Sequence, residues 1–149
     1  MMIRIIPLVF LALLASCAGE RAPLTTPSGA PGALAKVDWN TAKRIRVTLE
    51  SFDFAPNTLR LDMNHAYVLL LDNVASSGHN FDAPEFFAKT ALAEGVVERT
   101  LRTDGGVIEV GARQSVEIRL IPLQAGVYRL ICSHPLHESF GMHGKIIVQ

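Results

Sequence analysis

Cysteine is scarce in this chain, with only Cys17 and Cys132 among 149 residues. A scaffold of several disulfides is therefore excluded, and a Cys17–Cys132 bridge is the one pairing left to weigh. Charge of one sign is missing too, since 14 Lys and Arg face 14 Asp and Glu. Nothing here supplies the strongly basic face that a nucleic-acid partner favours. Long apolar runs are lacking after the N-terminus, where none approaches the roughly 18 residues of a membrane-spanning helix. What remains is one domain's worth of Ile, Val, Leu and Phe, a core large enough to stand without a disulfide.

The N-terminus reads as an export address. Arg4 marks a short basic start, and Ile5 to Ala15 form an apolar stretch too short to span a bilayer. Leu14-Ala15-Ser16-Cys17 resembles a bacterial lipoprotein signal, in which residues 1–16 are removed and Cys17 carries the lipid. That resemblance implies an exported protein on the periplasmic, cell-envelope side, anchored to a membrane through Cys17. An ordinary cleaved signal with an incidental cysteine is the other reading. Ala18 gives no acidic retention signal, which in a Gram-negative cell leans toward the outer membrane. Losing residues 1–16 takes away only Arg4, so thirteen basic and fourteen acidic side chains leave a net charge of −1.

Residues 17–43 are expected to be anchor and linker. Ala18 to Lys36 is dominated by Ala, Gly, Pro and Thr, with three prolines and no periodic apolar face, which suits a flexible tether. Trp39 is a candidate early packing residue. If Cys17 carries lipid, Cys132 is the single remaining thiol in a compartment where cysteines usually pair. Metal ligation accounts for it.

Residues 44–149 are read as the folded domain. Ile45, Val47 and Leu49 alternate with polar neighbours, as do Leu59, Leu61 and Met63, and later Val116, Ile118 and Leu120. Ala66 to Leu71 is a continuous apolar run that suits a strand buried on both faces. Phe52 to Asn57 reads as a turn, residues 85–93 as a short helix, and Val96-Val97 and Val107 to Val110 as short strands. Val127 to Cys132 and Lys145 to Val148 close the chain as strands, with Tyr128, Leu130 and Cys132 on one inward face. About seven or eight strands with one helical insertion predict an all-β, Greek-key β-sandwich.

The chemistry gathers at the end of the chain. Cys132, His134, His137 and Met142 fall within eleven residues. Thiolate, imidazole and thioether form a ligand set suited to copper rather than to calcium or magnesium. A blue-copper site takes two His and one Cys in a plane with a weak axial Met. The loop offers Cys132, one of His134 or His137, and Met142. The second His must come from elsewhere, and His79, after an apolar run in Gly78-His79-Asn80-Phe81, is the best donor.

These motifs resemble the cupredoxins, the blue type-1 copper proteins of azurin, rusticyanin and plastocyanin type, over about residues 44–149. The Cys-x4-His-x4-Met loop places Pro135 and His137 at the offsets seen in azurin-like and rusticyanin-like members, which selects His137 over His134. The resemblance implies one copper ion held by His79, Cys132, His137 and Met142. It further implies single-electron carriage through the solvent-facing edge of His137, and a Gly78 carbonyl on the second axial side. Asn80 and Ser133 are candidates to hydrogen-bond across the two loops. Leu136, Phe140, Phe86 and Phe87 are candidates for an apolar docking patch, with core packing of Phe86 and Phe87 as the alternative. His65 reads as a surface turn residue.

Three departures keep other ligand sets open. Leu136 stands where those members often have Gly, and His134 and His143 are extra imidazoles beside the ligands. With four protein ligands no position is left for substrate, so the expectation is no enzyme, no small-molecule substrate, and redox proteins as partners. A periplasmic copper carrier or resistance protein on the same fold is the main alternative. A centre altered by His134 or Glu138, with an open position, is a second. A Cys–His hydrolase is disfavoured, because Cys132 and His137 share one loop and no oxyanion element is evident.

Overall fold

The computed structural model describes residues 21–149; the leader and the lipidation candidate Cys17 lie outside them. In chain order the first elements are α1 (Ala30–Leu34), β1 (Lys43–Glu50), β2 (Asp53–Ala55), β3 (Thr58–Leu61), β4 (Tyr67–Asn73) and β5 (His79–Asp82). There follow α2 (Pro84–Phe87), β6 (Thr90–Leu92), α3 (Val96–Thr103), β7 (Val107–Val110), β8 (Ser115–Pro122), β9 (Gly126–Ile131) and β10 (His143–Val148). The strands form two five-stranded sheets, ordered β2-β1-β4-β8-β6 and β3-β10-β9-β5-β7. Each is mixed, because β1 runs parallel to β4 and β3 parallel to β10.

Alternation decides which faces meet. In β1, Val47 and Leu49 are fully buried while Arg46 and Glu50 face water. β4 lies between β1 and β8 and buries Tyr67, Val68, Leu69 and Leu71, using both faces. Between the sheets Phe54, Phe81, Phe86 and Phe87 pack with Leu49, Leu69, Leu130 and Ile146, and Cys132 and Met142 belong to the same core. The sandwich is as expected, but the described residues carry ten strands rather than seven or eight. The added ones are short pieces, such as β2, which folds back on β1 in a tight hairpin, and β6, whose partner β8 lies beyond α3 and β7 in the chain.

Four local expectations are corrected. The helix read at 85–93 is a single turn, because Thr90 Oγ1 donates to the Phe86 carbonyl (2.7 Å) and the chain then pairs with β8. Burial of Ala91 and Leu92 in that sheet outweighs their helix propensity. Val96-Val97 opens helix α3 instead of a strand. Val97 and Leu101 share its core side, and Glu98 pairs with Arg102 four residues on. Phe52 to Asn57 is not one turn, since Asp53–Ala55 pairs with β1, and Met63 is exposed beyond β3.

The fourth concerns the tether. Its described part packs on the domain: Ala30 of α1 is buried beside Ala91 and Ile121, with Trp39 partly covered alongside. Leu24 donates its amide to the Arg102 carbonyl (2.8 Å), and Arg21 grips the buried Asp82 carboxylate with two 2.7 Å bonds. Low complexity hid these contacts, because each is made by an isolated residue rather than by a periodic face.

Candidate metal centre

Two chain segments deliver the donors. β5 starts at His79, which is 1 % exposed, and the 74–78 loop before it is fastened by Asn73. The Asn73 side-chain amide donates toward the carbonyls of Ser77 (2.9 Å), Val110 (2.9 Å) and Gly111 (3.0 Å), and its oxygen accepts from the Ala75 amide (3.0 Å). The second segment is the 132–142 loop between β9 and β10. Continuing the inward face of Tyr128 and Leu130, Cys132 points into the core and is fully buried.

Backbone bonds close this loop on itself. The Cys132 amide donates to the Met142 carbonyl and the Met142 amide to the His137 carbonyl, both at 3.0 Å. Leu136 takes a left-handed backbone (φ 68°), which explains why glycine suits this position in similar loops. Phe52, at the tip of the β1–β2 hairpin, is also left-handed (φ 67°), and its ring meets the His137 ring edge-on at 5.2 Å.

His79, Cys132 and His137 come together as a triangle. Nδ1 of His79 and Nδ1 of His137 are 3.1 Å apart, and Cys132 Sγ lies 3.3 Å from His137 Nδ1 and 3.9 Å from His79 Nδ1. With those edges, a point in the plane sits about 2.0 Å from all three atoms, close to the roughly 2.0–2.3 Å of metal bonds to imidazole and thiolate. The residues present therefore fit a trigonal metal ion.

The surroundings favour the metal-binding form of the two imidazoles but not of the thiol. Burial, then the imidazoles of His137 and His134, push His79 below the ordinary imidazole value; burial and His134 do the same to His137. Both rings are thus held toward the neutral, ligating state. Burial pushes the Cys132 thiol up, against the backbone amides of Asn80 and His134, which pull it down; the Glu109 and Asp82 carboxylates add to the rise. A metal ion must then displace the thiol proton as it binds.

Around the triangle lies a ring of hydrogen bonds. The Asn80 amide donates to Cys132 Sγ (3.5 Å), Asn80 Oδ1 accepts from the Ser133 amide (2.8 Å), and Asn80 Nδ2 donates to Ser133 Oγ (3.1 Å). One side chain thus joins the two donor segments. Ser77 Oγ lies 3.3 Å from His79 Nε2, the ring nitrogen facing away from the triangle. Glu109 contacts Asn80 Nδ2 (2.8 Å) and His134 Nε2 (2.9 Å).

The other sequence candidates fall as follows. Met142 is fully buried, with its backbone bonded to Cys132 and His137, and Gly78 stands beside the His134 ring. His134 is half-buried and engaged by Glu109, while His143 and His65 are exposed. Phe86 and Phe87 are core residues, so they do not join the apolar rim; Phe52 (39 % exposed), Leu136 (66 %) and Phe140 (62 %) do. Sequence reasoning missed Asn73, Ser77, Phe52 and Glu109. Only Asn73 carried a signal, as an Asn opening a turn.

Residues 42–149 match the model of the copper binding proteins, plastocyanin/azurin family. The chain belongs to this family. Its cofactor is one copper ion, and His79, Cys132 and His137 fit a type-1 site. No curated protein matches the chain. Among solved structures, this cupredoxin is similar in fold to auracyanin B, at 19 % identity and TM-score 0.53, covering 76 % of this chain and 93 % of that one. It is also similar to the dithionite-reduced auracyanin from Roseiflexus castenholzii, at 15 % identity and TM-score 0.54, covering 72 % and 98 %. A third likeness is to the multicopper oxidase McoA from Aquifex aeolicus, at 15 % identity and TM-score 0.54, where 76 % of this chain covers only 31 % of that one.

Proposed function

We propose that this cupredoxin is a mononuclear type-1 copper protein that carries single electrons between redox proteins at the cell envelope. The observation that carries the reading is the buried His79–Cys132–His137 triangle, whose 3.1–3.9 Å edges suit one trigonal ion. Copper bound there supplies a one-electron couple. The chain's own part is to hold the donors still. Asn80 ties the two segments together, Asn73 fastens the approach to His79, and the loop bonds fix Cys132 against Met142. Met142, buried on the same loop, would add a weak thioether donor to the three and so fill the position a substrate would need.

The His137 ring is half-exposed within the rim of Phe52, Leu136 and Phe140. This rim is where a redox protein is expected to dock, with the His137 edge as the electron port. Export and anchoring through Cys17 are part of the same reading, and rest on Leu14-Ala15-Ser16-Cys17. Labelling of the expressed protein by a radioactive fatty acid, lost in Cys17→Ser, is the expected result; an unlabelled protein would remove the anchor from the proposal.

The decisive experiment is a visible spectrum of residues 21–149 after one equivalent of Cu(II). An intense blue band is expected that bleaches with ascorbate and disappears in Cys132→Ser. In Met142→Leu the band should remain while the potential rises, since a thioether donor to Cu(II) is lost. A colourless product with weak, exchangeable Cu(I) binding would overturn electron carriage and favour copper handling.

A further inference from the structure

Glu109 has no role in the ligand set, yet it stands at the junction of everything that surrounds it. It lies on β7 directly across from Asn80 on β5, so the two side chains share one face as a cross-strand pair. One carboxylate oxygen, Oε1, accepts from Asn80 Nδ2 at 2.8 Å. The other, Oε2, lies 2.9 Å from Nε2 of His134. Asn80 is 3 % exposed and bonds Ser133, while its amide reaches Cys132 Sγ. The His134 ring packs 5.3 Å from the His137 ring. A single exposed carboxylate therefore contacts both the residue that bridges the donor segments and the extra imidazole packed beside His137.

We propose that Glu109 is a positioning residue of the copper site, clamping Asn80 with one oxygen and holding His134 out of the ligand plane with the other. The clamp orients Asn80 so that its amide and side chain stay aligned with Cys132 and Ser133. Holding His134 leaves His79 and His137 as the two imidazole donors. A hydrogen bond to a charged acceptor is worth more than a neutral one, so a partly exposed carboxylate suffices. The carboxylate's negative charge also favours the more positive, oxidised centre.

This inference deepens the copper reading and rests on it, so its test has one arm that needs no metal. Glu109→Ala removes charge and acceptor; Glu109→Gln keeps an acceptor oxygen for Asn80 and removes the charge. In the metal-free protein, nuclear magnetic resonance should show Asn80 side-chain amide exchange at least about tenfold faster in Glu109→Ala and restored in Glu109→Gln. In the copper-loaded protein, Glu109→Ala should shift the blue band, Glu109→Gln should return it, and both should raise the potential. A purely structural role would lower the melting temperature and leave band and potential unmoved. Unchanged Asn80 exchange in Glu109→Ala, or an unchanged band and potential, would overturn the proposal. The metal-free arm decides the clamp even in a protein that takes up no copper, which separates its failure from failure of the copper reading.

Discussion

Leu136 shows how a single side chain can be held against its own backbone preference. A left-handed conformation costs a non-glycine residue about 1–2 kcal/mol, and here it is adopted by a leucine that is 66 % exposed. The loop imposes it, because His137 donates its amide to the His134 carbonyl (3.1 Å) and Phe140 donates to the carbonyl of Leu136 itself (3.0 Å). Leu136→Gly relieves the strain but adds freedom to the unfolded chain, so a net gain of about 0.5–1 kcal/mol in stability is expected. Urea unfolding of the metal-free protein measures it. A loss of stability in that variant would mean that the exposed leucine contributes packing that outweighs the strain.

At the scale of elements, the centre depends on how two neighbouring strands, far apart in the sequence, are brought level. β5 brings His79 and β9 brings Cys132, yet the register joins these strands at only Asp82↔Ile131. The remaining alignment comes from side chains. Asn80 spans to Ser133, and Asn73, at the end of β4 in the other sheet, reaches across to Val110 and Gly111 beside β7. Asn73 is 1 % exposed, so removing it strands buried carbonyls and an amide. Asn73→Ala is expected to cost about 2–3 kcal/mol and to weaken copper retention by freeing the approach to His79. A melting curve and a chelator-competition titration check the two effects. Lost stability with unchanged retention would show that the staple serves the sandwich alone.

For the whole molecule, the segment before β1 acts as a strap. It starts at the Arg21–Asp82 pair, in which the Asp82 side chain is 1 % exposed and Arg21 44 %. It continues through the Leu24 bond to α3 and ends with α1 against β6. Asp82 belongs to the one pair that joins β5 to β9, so the strap closes over the seam between the His79 and Cys132 strands. Removing one partner of a fully buried pair costs about 3–5 kcal/mol; with Arg21 half-exposed, about 2–3 kcal/mol is expected. Residues 36–149 should therefore unfold at lower urea concentration than residues 21–149. Equal midpoints would return this segment to the role of a tether.

Copper ligation was legible because it depends on residue type and spacing. Cys132, His137 and Met142 lie on one short loop, and period-two alternation in β1, β8 and β9 marks strands whatever they pair with. The inward aim of Cys132 followed from Tyr128 and Leu130, since side chains two apart share a face. Short pieces such as β6 and α3 were misread, because local propensity cannot show that Thr90–Leu92 will pair with β8 or that Leu101 will be buried. The strap escaped notice for the same reason: Arg21 has meaning only once folding has buried Asp82. Glu109 is one charge in a short strand, with nothing in its neighbours to set it apart. Spacing along a chain specifies which atoms can bind a metal. Only the packing of distant strands brings Asn80, Glu109 and His134 within hydrogen-bond reach, because those contacts join residues 25 to 53 positions apart.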